Sequence, residues 1–220
     1  MIELYLKGGF AMHPLLVLSI MAVAIAIERF VYLRRARTDA DAFTEAINGF
    51  LSRNALDEAY SFCEKASVPI SRIIQSGLKN QRRGRSEVVR AIEDAGALEV
   101  AQLEKGLLIL QTISKIAPLI GLFGTVTGMI RSFQAMGAEG GQDPKMIAVG
   151  IGEALVATAG GLVVAIPAYF LSFYFVNEVN KFLLDMQKTS VQFLDGLAEH
   201  EEKMAANRVL DSIGGDYLEI

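Results

Sequence analysis

The chain has 220 residues, 52% of them hydrophobic and 21% charged, with a net charge of -4 and a positive mean hydropathy. It is too apolar for an ordinary soluble domain and too charged to lie wholly in lipid, so membrane helices joined to a polar lobe are predicted. Basic residues do not gather on an aromatic-flanked stretch, which argues against nucleic acid as a partner. The single cysteine, Cys63, excludes an intramolecular disulfide and a cysteine-based metal site, and reads as a reduced thiol facing the cytoplasm. His13 and His200 lie near opposite ends, which leaves no histidine-based centre. No catalytic residue, metal site or cofactor is expected.

The first apolar stretch runs from about Phe10 to Leu33, with Pro14 in a first turn where its missing amide costs nothing. Its core, Leu15 to Ile27, has the length of a signal-peptide hydrophobic region. The positive charge follows that core instead of preceding it, in Arg29, Arg34, Arg35 and Arg37, so the stretch reads as a retained anchor. Residues 34–105 are polar and helical by pattern. Phe43, Ile47, Phe50 and Leu51 predict a helix over 40–52, Asn54 is placed to cap a second from Leu56 to Lys65, and Pro69 interrupts the pattern before a third short helix. From Ser86, a candidate cap, apolar residues recur at helical spacing to Leu103 with no proline before Pro118. The second membrane helix is therefore expected to reach far into the cytoplasm as one rod.

The second apolar stretch, Gly106 to Phe133, contains Lys115 and Pro118 and ends near Arg131; the third, residues 147–176, contains Glu153 and Pro167. The connection AMGAEGGQDPK, centred near Gly140 and Gly141 with Asp143 and Pro144 marking a helix start, makes the two an antiparallel hairpin. A helix through Arg208 and a disordered end, SIGGDYLEI, are expected in the tail. The predicted fold class is an all-α integral membrane protein with three transmembrane helices and long helices entering a helical cytoplasmic lobe. Its divisions are 1–33 (amino-terminal segment and first span), 34–105 (cytoplasmic lobe), 106–176 (hairpin) and 177–220 (cytoplasmic helix and tail). Lysine and arginine concentrate in 34–105 and after 177, so the positive-inside rule puts the amino terminus and the hairpin turn outside.

Within the spans, Glu153 is the one deep carboxylate, and a charge at that depth calls for a partner, a wet cavity or a function. Its structural alternative is pairing with Lys115 or with a basic group near the outer surface. Thr125 and Thr158, counted from the middle of the turn, fall at nearly the same depth; each could line a wet passage or simply bond a carbonyl of its own helix. Gly121, Gly124 and Gly128 on one span, and Gly150, Ala154, Ala157 and Gly161 on the other, let backbones approach closely. Further small residues on other faces of the third span, Gly152, Ala159, Gly160 and Ala165, point to self-assembly into a ring or cluster. Pro118 and Pro167 free the carbonyls of Ser114 and Val163, for water or an ion or only for a kink. A proton relay needs a chain of titratable groups, so the chain conducts nothing by itself or a partner helix brings the missing acid.

The segments IAPLIGLFGTVTGMIRSF and GIGEALVATAGGLVVAIPA together closely resemble the paired signature of the MotA/TolQ/ExbB family, and the three-span, amino-terminus-out arrangement resembles its ExbB and TolQ branch. The resemblance implies an inner-membrane subunit of a proton-driven motor in a bacterial envelope. It implies a homopentameric ring around the single-span helices of an ExbD- or TolR-like partner, whose aspartate carries the proton, and a TonB- or TolA-like envelope protein as the driven element. Thr125 and Thr158 match the family's pore threonines and Glu153 its intramembrane glutamate. Pro118, Gly121, Gly124, Gly150, Gly161 and Pro167 would shape the pore, and Lys115 would lie near its cytoplasmic mouth. The resemblance covers nearly the whole chain except the tail. A passive membrane scaffold is the competing reading from another class; an intramembrane protease lacks any aspartate pair, serine–histidine dyad or metal cluster.

Overall fold

The computed structural model describes residues 8–138 and 144–216. Every regular element among them is helical: α1 (Met12–Ala36), α2 (Ala40–Ser52), α3 (Leu56–Ala66), α4 (Pro69–Asn80), a 3₁₀ turn (Gln81–Arg83), α5 (Arg85–Glu104), α6 (Leu107–Ala138) and α7 (Pro144–Asp216). Three helical stretches, containing α1, α6 and the first part of α7, are long and apolar enough to cross a membrane. The chain separates into two compact units, residues 1–32 with 104–177, and residues 33–103 with 178–220.

In the second unit, short helices start and stop where local chemistry dictates. Asp39 accepts the amides of Asp41 and Ala42 at 3.1 Å each, which caps α2. Asn54 does not cap α3 as its spacing suggested. It takes a left-handed backbone, φ 56°, and the amide of Ala55 turns back to the carbonyl of Phe50 at 3.0 Å. Asn54 therefore closes α2, a use of asparagine that follows from its tolerance of that conformation. Pro69 opens α4 at its first position, and the Ser71 hydroxyl accepts from the Val68 amide at 3.1 Å. Phe43, Ile47, Ile74, Val88 and Phe193 are buried together with Cys63. Burial pushes the Cys63 thiol up from its ordinary 9.0 to about 12, so it is an inert core group. Polar side chains set the helix pairings around this core. Arg72 grips Glu99 with two bonds of 2.5 Å, Thr44 donates to Thr189 at 3.1 Å, and Arg37 donates to Glu178 through both Nε and Nη2.

In the first unit the three apolar segments pack through small residues. A methyl group on Gly161 would come within 2.7 Å of the Ala117 carbonyl, and one on Gly121 within 2.9 Å of the Ala157 carbonyl. Gly128 sits against Ala154, and Gly124 against both Ala157 and Ala11. The other small face of α7 receives α1: Gly160 lies against Met12, and Leu15 packs with Ala117 and Ala165. The two small-residue surfaces that suggested self-assembly are thus both used, at least in part, inside one chain.

Three expectations change. The single rod from Ser86 onward is broken at Gly106, whose left-handed φ of +77° ends α5 and whose carbonyl receives the Leu110 amide at 3.1 Å to start α6. The helix expected to end near Arg208 runs on, so that α7 reaches Asp216. Ser86 belongs to the first turn of α5 and does not precede it. The turn centred on Gly140 and Gly141 and the start marked by Asp143 lie outside the described residues.

Replacing Gly161 by valine places a branched side chain against main-chain atoms that cannot retreat. The expected cost is about 1–3 kcal/mol, read as a lower Tm of the detergent-solubilised protein, whereas Gly152→Val, with open space around it, should leave Tm nearly unchanged.

Candidate functional site

The close approach of α6 and α7 fixes which polar groups meet. The Thr158 hydroxyl crosses between the helices and donates to the carbonyl of Gly121 at 3.2 Å. Thr125 lies one turn further along α6, four residues and ~6 Å away, and donates to the carbonyl of Leu122 in its own helix at 2.6 Å. The two hydroxyls are therefore offset by about a turn, because packing and not the midpoint of the connecting loop sets the register. Each hydroxyl gives its proton to a carbonyl and keeps oxygen lone pairs that can accept from water.

Glu153 lies five residues before Thr158 on α7, toward the end of the hairpin where α6 and α7 are connected. Its Oε1 is 3.5 Å from Nη1 of Arg131, and its side chain is 30% exposed against 62% for Arg131. Of the two structural partners the sequence left open, Lys115 and a second basic group, the second is the one brought to it, as Arg131. Lys115 is exposed on α6, ten residues before Thr125, at ~15 Å along the axis. A second approach to the carboxylate comes from the turn before α1: Gly9 lies against Glu153, with φ +65°.

Pro118 and Pro167 remain within α6 and α7. Gly121, Gly124, Gly150 and Gly161 form the contact between those helices, Gly150 lying against the Ser132 hydroxyl. Two hydroxyl residues of this region escaped the sequence reading. Ser132 is buried and donates to Gly128 at 3.0 Å, and Thr127 donates to Phe123 and Gly124 at 3.0 and 3.1 Å. Their only signal is a hydroxyl within an apolar run, which is common in membrane helices. Among the described residues no group of histidine, cysteine or carboxylate side chains could hold a metal ion.

Residues 65–188 match the MotA/TolQ/ExbB proton channel family. The chain belongs to that family. A putative biopolymer transport protein ExbB homolog of Methanothermobacter thermautotrophicus is 33% identical over 81% of this chain and 64% of its own length. The putative ExbB-like 1 protein of Synechocystis sp. is 36% identical over 76% of this chain and 67% of its own length. The biopolymer transport protein ExbB of Neisseria meningitidis is 33% identical over 77% of this chain and 81% of its own. The chain thus spans about two thirds of the first two relatives. MotA/TolQ/ExbB proteins are proton channels, which are transport proteins and not enzymes, and this member is a multi-pass membrane protein. The family match covers Thr125, Glu153, Thr158 and all of the hairpin contact.

Thr158→Val should remove a bond between helices, whereas Thr125→Val removes one within a turn. Thermal unfolding of the solubilised protein should show a loss of about 0.6 kcal/mol for the first, the average for such bonds in membranes, and little change for the second.

Proposed function

We propose that this chain is the ring-forming subunit of an ExbB-like motor that uses the proton motive force to energise transport across a bacterial envelope. In this reading several copies, five by family resemblance, surround an ExbD- or TolR-like single-span partner, and a TonB-like protein takes up the mechanical output. A TolQ-like role with a TolA-like protein would use the same parts; relatives named ExbB favour the first. The amino terminus would face the periplasm and the carboxyl terminus the cytoplasm, with residues 34–105 and 177–220 inside.

The observation that carries the proposal is a carboxylate, Glu153, set within an apolar helix hairpin and still 30% exposed beside Arg131. Taking a charge out of water is expensive, so a carboxylate kept among apolar residues calls for a partner, a wet cavity or a function. Protons would come from the outer side, pass Glu153 and the Thr158 and Thr125 hydroxyls, and neutralise the partner's aspartate. One charge moving through 100 mV releases ~2.3 kcal/mol, enough to bias motion of the ring relative to the inner helices. Lys115 would sit toward the cytoplasmic mouth. Large apolar side chains exposed on the hairpin, including Leu122, Phe123, Val163 and Phe170, suit contact with lipid or with neighbouring subunits.

The test is proton uptake by vesicles containing this chain and its single-span partner. Glu153→Ala should lower uptake about a hundredfold, as expected for a positioned proton-transfer group, with smaller losses for Thr125→Ala and Thr158→Ala. Unchanged uptake in all three would discard the proposal.

A further inference from the structure

Two independent features converge on one atom, Oε1 of Glu153. Arg131 on α6 reaches it at 3.5 Å. From the other side comes Gly9, whose left-handed φ of +65° turns the chain into α1 and whose carbonyl accepts the Met12 amide at 3.2 Å. A methyl group on Gly9 would overlap Oε1 and stand 2.8 Å from the carboxylate carbon. Gly8 also faces α7, where a methyl group would fall 3.1 Å from Val156. The turn ahead of α1 therefore forms a seat for the carboxylate, with glycine at the left-handed position 9 and the Arg131 guanidinium beside the same oxygen.

A carboxylate in a largely apolar layer is held in one place only if its charge is matched and its rotamers are restricted. Arg131 supplies the first condition and the Gly8–Gly9 turn the second. Neither residue offers a proton-transfer group matched to neutral pH: guanidinium stays protonated and glycine has no side chain. We propose that Arg131 and Gly9 are positioning residues for Glu153, holding its carboxylate at the outer end of the hairpin so that protons pass only when the seat is formed. The inference rests on the function proposed above for Glu153, and it assigns roles to two residues outside the polar layer of Glu153, Thr125 and Thr158.

The test joins proton uptake by the two-subunit vesicles to Tm of the purified assembly. Arg131→Ala should lower uptake about tenfold, and Arg131→Lys should restore most of it. Gly9→Ala should lower Tm more than Gly84→Ala, a control that also has a positive φ, +99°, but nothing within 4 Å. Adding Glu153→Ala should erase that excess. Normal uptake in Arg131→Ala and Gly9→Ala, beside a loss in Glu153→Ala, would overturn the positioning role and leave the function intact. Normal uptake in Glu153→Ala would overturn the function and the conduction role with it. The Tm arm reads the seat without ion flow: additive effects of Gly9→Ala and Glu153→Ala would show that no seat exists.

Discussion

The backbones of α6 and α7 touch. At Gly121 and Gly161 there is no room for even a methyl group between one helix and main-chain atoms of the other. Lipid tails are as apolar as leucine, so helices in a bilayer gain little from hiding apolar side chains and associate through such close contacts. Each helical glycine costs about 0.5–1 kcal/mol relative to alanine, so the contact must return more than its glycines lose. It also leaves one register: Gly161 meets Ala117 and Gly121, and sliding by a residue would set Cβ atoms against carbonyls.

That register places the polar groups. Thr158 is brought level with Gly121 and Glu153 within reach of Arg131, while Thr125 stays a turn away on a partly exposed face. The hydroxyls are satisfied by carbonyls at no cost to the fold. The carboxylate is the group whose presence packing alone does not explain, since alanine at position 153 would suit the same helix with no charge to match. The candidate polar layer and the glue of the hairpin thus share one surface, with Thr158 belonging to both.

Much of this was legible in the residues themselves. Glycine and alanine at three- and four-residue spacing announced the α6–α7 contact, and an isolated glutamate among them pointed to the candidate site. The break at Gly106 was not, because Leu103, Leu107 and Leu110 keep helical spacing across it and a lone glycine is tolerated within helices. Asn54 carried two meanings, a cap that starts α3 or a left-handed stop that ends α2, and only the chain path separates them. Arg131 was visible as a charge near the end of a span, but its meeting with Glu153 depends on a register that no local pattern encodes. The meeting of Gly9 with Glu153 depends likewise on the chain path and carries no local signal.

The central claim is that Thr125, Glu153 and Thr158 face water in the working assembly. Cysteine placed singly at each position, in membranes containing the single-span partner, can be challenged with a membrane-impermeant, charged thiol reagent; buried Cys63 should stay silent. The account predicts modification at all three positions and none at Val17 or Val23, exposed apolar positions of α1. Protection at 125, 153 and 158 equal to that at the two valines would contradict it.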